Sequence, residues 1–403
     1  MKRFAISLIM FLISVISFAQ IEGFPKFYTT DPNDEKQPVE NYTLPSLMTC
    51  NDGTPVKSIL QWEQVRRPEI MEIFATQMFG PVPAAPEGLH FSLLKPDETV
   101  YDGAAIRRYV RIFLDSKEKH HFDIMIHKPA KHCGKIPFFV ALNFRSLENS
   151  FDGTRYELPY EMIVRQGFGI AVAFHESIEA DCKDGEESAG DVRLRGKLWP
   201  KDDHSAISVW AWGLSRMADY LETLEEVDCD RLAVIGHSRL GKTALWAGAN
   251  DKRFSLVISN NSGCCGAAIS RRRYGETFAD IYRNFPYWFV PAFSKYVDEK
   301  ESEFPADQHE LIALSAPRAV YVASADEDDW ADPAGEWLAA KEASPIYELY
   351  GLKGLSGKEM PALGHTDDYG QVAYKIRFGG HALYADDWLD YIKYAKRIFG
   401  LDN

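Results

Sequence analysis

Two segments, residues 109–114 and 121–126, alternate between apolar and polar residues, as a half-buried strand does. Continuous apolar runs follow at residues 136–143 and 168–174. Unbroken runs of this length are typical of parallel strands that are covered on both faces. The first part of the chain therefore predicts a half-buried strand pair, followed by buried parallel strands.

Strands and helices then alternate toward the C-terminus. The predicted strands are residues 231–235, 254–259 and 318–323, and the predicted helices are 58–80 (with a proline interruption), 206–226, 243–249 and 388–399. Such alternation predicts an α/β fold with a mostly parallel, doubly wound sheet. Residues 263–307 break the rhythm, and we expect them to form an insertion over the active site.

The N-terminus has the pattern of a secretory signal. Lys2 and Arg3 precede an apolar stretch from 4 to 18, and a small-residue site ends at Ala19. The stretch is short for a membrane span, and none like it follows. We expect a signal peptide over 1–19 and a secreted or periplasmic, soluble, monomeric protein. Residues 20–403 would then be one catalytic domain, with an extended lead-in over 20–57.

Composition narrows the function classes. The chain of 403 residues is 46% hydrophobic and 13% aromatic, enough for a large core. Its net charge of −14 argues against nucleic acid, because binding the phosphate backbone requires a basic face. The six cysteines allow disulfides in an oxidising compartment, although small buried thiols are the simpler interpretation. No spacing indicates a metal site, and no cofactor is implied.

One motif carries the candidate chemistry: residues 236–242 (GHSRLGK) lie between a predicted strand and a predicted helix. A serine on such a turn is how α/β-hydrolases present a nucleophile. The helix behind it supplies free N–H groups for a developing oxyanion. Ser238 is therefore the candidate nucleophile of a three-layer α/β-hydrolase. The usual pattern is Gly-x-Ser-x-Gly, but Leu240 holds the second glycine position here.

A serine nucleophile needs a histidine base, and this fold places that base after the acid, near the C-terminus. Three histidines follow Ser238, namely His309, His365 and His381. His309 comes too early, and His365 lies in a polar loop. His381 precedes the last helix, which favours it as the base.

The acid is expected in the loop after the strand at 318–323. Residues 324–333 offer five carboxylates, of which Asp332 before Pro333 has the pattern of a helix N-cap. The residues alone leave Asp328 and Asp329 as alternatives.

Several motifs together resemble the glucuronoyl esterases, carbohydrate esterase family fifteen. They are GHSRLGK, the 210–216 helix segment WAWGLSR, Asn-Ser-Gly at 261–263, Asp-x-Trp-Ala-Asp-Pro at 328–333 and Gly-Gly-His at 379–381. The resemblance runs from about Lys128 to the C-terminus. It implies an α/β-hydrolase that cleaves esters between glucuronic acid on xylan and a lignin alcohol, through a Ser-His-Asp triad.

The resemblance also implies roles for single residues, and it selects Asp328 as the acid. The other matched positions are Ser238 (nucleophile), His381 (base), Arg239 (oxyanion), Lys242 and Glu276 (sugar hydroxyls) and Trp330 (pocket wall). A cation beside a neutral ester carbonyl gains most as the oxyanion develops, which suits Arg239.

Two positions depart from the family pattern. Asn261 stands where many members carry a glutamate, and the loop after 141–144 continues with Arg145 instead of glycine. An amide cannot be the triad anion, so the acid role falls on Asp328 alone. The alternatives are an acetyl-xylan or other carbohydrate acyl esterase, and a non-catalytic carbohydrate-binding homologue.

Overall fold

A computed structural model describes residues 38–149, 156–183, 185–188, 192–199 and 204–401. The expected signal peptide (1–19) and the first part of the lead-in lie outside these ranges. One eleven-stranded sheet crosses the described residues, in the order β1-β3-β4-β6-β5-β7-β8-β9-β11-β10, with β2 paired to β3. The strands are β1 (His90–Leu93), β2 (Glu98–Val100), β3 (Ala105–Phe113), β4 (His121–Pro129), β5 (Ile136–Asn143), β6 (Gly169–Phe174), β7 (Val227–His237), β8 (Phe254–Asn260), β9 (Ala319–Ala325), β10 (Thr366–Asp367) and β11 (Val372–Arg377).

The centre of the sheet is parallel and its edges are antiparallel. Strands β6, β5, β7, β8, β9 and β11 run parallel to one another. Strands β1 to β4 and β10 add antiparallel edges. All eight residues of β5 are buried, as expected of a strand covered on both faces. The predicted α/β-hydrolase sheet is therefore confirmed.

Helices cover both faces of the sheet and make the three layers. The helices are α1 (Ile59–Gln61), α2 (Arg67–Gln77), α3 (Tyr160–Arg165), α4 (Leu194–Leu198), α5 (Ala206–Leu221), α6 (Arg239–Asn250), α7 (Phe278–Asn284), α8 (Gln308–Ala313), α9 (Pro333–Glu342), α10 (Ser344–Leu349) and α11 (Ala385–Phe399). Trp210 of α5 and Trp246 of α6 join the core on one face, and Trp388 of α11 joins the core on the other.

The proline interruption predicted within 58–80 has a specific form. Residues Trp62–Arg66 are π-helical, and the N–H of Arg67 bonds back to the carbonyl of Trp62. Pro68 has no N–H to donate, so the helix widens just before it and resumes as α2.

Residues 263–307 add no strand to the sheet. They form short helical turns and α7, and Phe285 and Trp288 from this segment pack against the side chain of Arg239 beside the elbow. All six cysteines are free thiols, and Cys50, Cys264 and Cys265 are buried. Among the described residues, no helix combines the length and the apolar character needed to cross a bilayer.

Candidate active site

Ser238 lies at the sharp turn between β7 and α6. Its backbone has φ 57° and ψ −127°, a region that non-glycine residues rarely occupy and that turns the chain abruptly. The Ser238 N–H donates to the carbonyl of Asn260 at 2.9 Å, and the Ser238 carbonyl accepts from Gly241 at 2.8 Å. The turn is thus held on both sides of the serine, as in a nucleophile elbow.

Two close approaches explain why the glycine pattern is irregular. A Cβ at position 236 would lie 1.8 Å from the carbonyl oxygen of Leu240, so only glycine allows the helix to cross there. A Cβ at position 241 would lie 3.0 Å from the Cβ of Ser262. The side chain of Leu240 is buried in the core. The tight positions are therefore 236 and 241, and position 240 is free to carry leucine.

His381 and Asp328 meet at the carboxyl ends of neighbouring parallel strands, β11 and β9. The His381 Nδ1 lies 2.6 Å from the Asp328 Oδ2. The carboxylate is buried, at 3% exposed, whereas the imidazole is 35% exposed. Burial raises the pKa of Asp328, but the charge of His381 and hydrogen bonds from His381 and Asn261 more than offset it. The pKa of Asp328 therefore lies below its usual value, and the group is an anion.

His381 also packs beside the elbow. Its ring centroid lies 4.5 Å from that of His237, the residue before Ser238. Burial, and then the neighbouring charge of His381, lowers the pKa of His237 well below its usual value. The candidate base therefore packs against an uncharged ring at the end of β7, the same end that carries the candidate nucleophile.

Asn261 follows β8 and contacts the same carboxylate. Its Nδ2 donates to the Asp328 Oδ2 at 2.7 Å, and its backbone is left-handed, with φ 46°. Asparagine tolerates this conformation better than most residues. The amide that replaces the family's glutamate is thus a donor to the acid.

The alternative acid and base lie elsewhere. Asp329 is exposed, and it accepts a long hydrogen bond of 3.4 Å from the Tyr274 hydroxyl. His365 is exposed and faces the carbonyl of Leu363, just before β10. The structure therefore brings His381 together with Asp328, not with Asp329.

Arg239 begins α6 directly after the serine. Its Nη1 donates to the Asp181 Oδ2 at 2.5 Å, and its guanidinium carbon lies 4.7 Å from the centre of the Trp288 ring. The side chain is 26% exposed, and its Nε has no hydrogen-bond partner within the described ranges. Burial lowers the pKa of Arg239, but Asp181 more than compensates, so the cation persists.

Lys242, Glu276 and Trp330 form a second group beside the elbow. The buried Lys242 donates from Nζ to the Ser262 carbonyl, and the Glu276 N–H donates to the Trp330 carbonyl at 2.9 Å. Burial raises the pKa of Glu276 to about 7, against the opposing effects of Lys242 and of a hydrogen bond with Trp330. A carboxyl, an ammonium and an indole therefore converge here.

Two buried acids at the site escaped the sequence interpretation. Glu336 of α9 accepts from the N–H groups of Ser262 and Gly263 at 2.8 and 2.9 Å, and from the Ser324 hydroxyl at 2.6 Å. Asp181 pairs with Arg239. Neither acid lies in a motif. Arg239 is 58 residues from Asp181 and Ser262 is 74 residues from Glu336, so no local pattern reveals these contacts. Within the described ranges, no group of three or more His, Cys, Asp or Glu side chains is arranged to hold a metal ion.

A serine on a strand–turn–helix elbow, with a His–Asp pair at the same edge of a mostly parallel sheet, defines the class of α/β-hydrolases. Comparison with known proteins identifies the family within this class. A sequence model described as fungal glucuronyl esterase matches residues 113–351. The chain therefore belongs to the glucuronoyl esterase family, whose members are carboxylic ester hydrolases.

Individual relatives agree with this assignment. The carbohydrate esterase MZ0003, from an unknown prokaryotic organism, is 38% identical over 94% of this chain and 93% of its own length. The solved glucuronoyl esterase from Solibacter usitatus is 37% identical, with a TM-score of 0.82, over 90% of this chain and 99% of that one. A 4-O-methyl-glucuronoyl methylesterase of Podospora anserina is 28% identical over 84% of this chain and 64% of its own length.

Proposed function

We propose that this protein hydrolyses esters of glucuronic acid carried on xylan, including those with lignin alcohols. The observation that carries the proposal is the cation of Arg239, held directly after the elbow serine and beside the Lys242–Glu276 group. An ester of a uronic acid is neutral, so such a cation stabilises the transition state more than the substrate. The names of the relatives support the same substrate class.

The proposed reaction has two halves. Ser238 Oγ attacks the ester carbonyl while the Nε2 of His381 takes its proton, because Nδ1 faces Asp328. Arg239 stabilises the tetrahedral oxyanion, and the alcohol leaves with the proton from His381. A water molecule then attacks the glucuronoyl-serine ester, with His381 as base again. Glucuronate leaves, and Ser238 regains its proton.

The proposed binding group holds the sugar ring. Lys242 donates to ring hydroxyls, Glu276 accepts from them, and Trp330 supplies a flat surface for the C–H face of the sugar. The burial of Lys242 and Glu276 strengthens these contacts, because hydrogen bonds gain strength where water is excluded. We further infer from the N-terminal sequence that the protein is exported and acts outside the cell or in the periplasm.

The test is the cleavage of benzyl glucuronate, followed by the release of benzyl alcohol. We expect wild type to cleave it and Ser238→Ala to be inactive. Asp328→Asn is expected to lower kcat by about 10⁴-fold, because the imidazole loses the anion that holds its tautomer. Asp329→Asn is the matched control and is expected to retain wild-type activity.

Other outcomes would identify other functions. Undiminished cleavage by Ser238→Ala would contradict the mechanism. Faster cleavage of acetylated xylose than of the glucuronate ester, with no effect of Arg239→Ala, would identify an acetyl esterase. Failure of Ser238 to react with a serine-directed phosphonate would indicate a carbohydrate-binding protein without catalysis.

A further inference from the structure

Asp181 is the hub of a buried hydrogen-bond network behind Arg239. Its side chain is only 6% exposed, and it accepts from two donors and contacts a histidine ring. Arg239 Nη1 donates to Oδ2 at 2.5 Å, Trp288 Nε1 donates to Oδ1 at 2.8 Å, and His175 Nε2 lies 3.2 Å from Oδ2. Both carboxylate oxygens are thus engaged, and the acid cannot turn without breaking contacts on two sides.

Aromatic rings restrict the guanidinium further. Its central carbon lies 4.7 Å from the centre of the Trp288 ring, 5.2 Å from Phe285 and 5.7 Å from Phe144. Phe285 and Trp288 stack on each other with centroids 3.9 Å apart. Cations over aromatic faces are attracted by the ring quadrupole. Arg239 is therefore held by one charged contact and by aromatic contacts.

His175 connects this network to the end of β5. Its Nδ1 lies 3.0 Å from the carbonyl oxygen of Asn143, and its Nε2 faces Asp181. The ring is buried against Trp210 and Phe144. His175 and Asp181 therefore link the end of β5 to Arg239 through buried polar contacts.

We propose that Asp181 is a positioning residue for Arg239, which it holds with its remaining donors directed at the oxyanion. The role rests on the proposed function. Charge alone argues against such a residue, because a carboxylate beside the arginine weakens the positive potential that the oxyanion experiences. Its benefit must therefore be geometric, since a preorganised donor stabilises the transition state without reorganising.

The direction in which Asp181→Asn changes kcat distinguishes the charge effect of Asp181 from its orienting effect on Arg239. The substitution keeps the size of the side chain and removes its charge. If orientation dominates, kcat for benzyl glucuronate falls by about tenfold or more, as for a misaligned oxyanion donor, while KM stays within about twofold. A rise in kcat, or no change, would overturn the proposal.

A double-mutant cycle excludes a general structural effect. In an Arg239→Ala background, Asp181→Asn should cause little further loss, because the residue acts only through the arginine. Equal losses in both backgrounds would overturn the proposal. Asp219→Asn, which removes a carboxylate paired with Arg216 and Arg253 near the C-terminal end of α5, is the matched control and should leave kcat unchanged.

These measurements also distinguish this inference from the function it rests on. A wild-type enzyme that cleaves no glucuronate ester contradicts the proposed function. An active wild type that is impaired by Arg239→Ala but not by Asp181→Asn contradicts only the role of Asp181. Thermal unfolding of each variant identifies any that fail to fold, and Asp181→Glu, which retains the charge, should then recover part of kcat.

Discussion

Asn261 shows how one side chain can support a catalytic anion without being one. Its amide donates to Asp328, which already faces His381. A glutamate at this position would place two carboxylates within hydrogen-bond distance, and like charges that close cannot both stay ionised. The amide instead stabilises the ionised form of its neighbour. An asparagine at position 261 therefore suits an acid that lies in the loop after β9.

We expect Asn261→Gly to lower kcat by about tenfold, the equivalent of one hydrogen bond to a charged group. Glycine adopts the left-handed φ of 46° freely, so the change removes the amide without straining the backbone. Asn261→Ala should show the same kinetic loss together with a lower melting temperature, since alanine costs about 1 kcal/mol in this conformation. Unchanged kcat in the glycine variant would show that the amide does not support the acid.

The elbow is an element whose shape depends on the distance between a strand and the helix that follows it. Position 236 is where the two backbones come nearest, because the Leu240 carbonyl oxygen occupies the place of a Cβ. A carbonyl in the first turn of a helix cannot move aside as a flexible side chain can. Any side chain at 236 must therefore push α6 away from β7 and displace Ser238.

Gly236→Ala is expected to destabilise the fold by about 3 kcal/mol through overpacking, and to reduce activity by moving the serine. Gly196→Ala is the matched control, because a Cβ there meets nothing within 4 Å. That variant should be as stable as wild type, or slightly more so, because alanine favours helix. Denaturant unfolding of both variants measures the difference. Equal free energies of unfolding for the two variants would show that β7 and α6 do not approach closely at position 236.

Most central strands could be predicted from the sequence, because β5, β6, β8 and β9 are continuous apolar runs. Strand β11 is not among the strands that the sequence predicts, since Lys375 interrupts its apolar run. The choice of Asp328 over Asp329 depended on the family resemblance. The two are adjacent in a loop, and only the fold shows that one is buried against His381 while the other is exposed.

The support of Arg239 was beyond sequence reasoning for a different reason. Its partner Asp181 comes 58 residues earlier, and Trp288 comes from the segment beyond β8. Residue patterns report local periodicity, whereas these contacts arise only when distant segments close over the sheet. Long-range polar contacts were therefore the part of the site that the sequence left open.

The molecule as a whole buries several carboxyl groups, and this makes its stability depend on pH. Burial raises the pKa of Glu276 and Glu310 to about 7, and that of Glu336 to about 8. Each value lies above that of an unfolded glutamate, about 4.3, so the folded state binds more protons. The stabilisation from these protonated carboxyl groups is fully present below the unfolded pKa of about 4.3, and it is lost as the pH rises through the folded pKa.

Glu336→Gln should reduce this pH dependence. Wild type is expected to lose stability between pH 5 and pH 9, and Glu336 contributes about 1.4 kcal/mol to that loss for each pH unit from pH 5 up to its folded pKa. The glutamine variant lacks that contribution, so its free energy of unfolding should change less. Guanidinium unfolding at the two pH values measures both slopes. Glu342→Gln, at an exposed position of the same helix, should follow wild type; equal slopes in all three proteins would contradict the expectation.

The loops that carry His381 and Asp328 are joined by hydrogen bonds to each other. The Asp326 N–H donates to the Arg377 carbonyl at 3.0 Å, the Glu327 N–H donates to the Gly379 carbonyl at 3.1 Å, and the Gly379 N–H donates to the Asp326 carboxylate at 2.8 Å. The proposed acid and base therefore lie on two loops that form one connected unit. The serine follows β7, which is two strands away from β9 in the sheet. Evolution can lengthen or shorten the chain between β9 and β11 while the two partners stay in register, and a protein engineer could transplant them together.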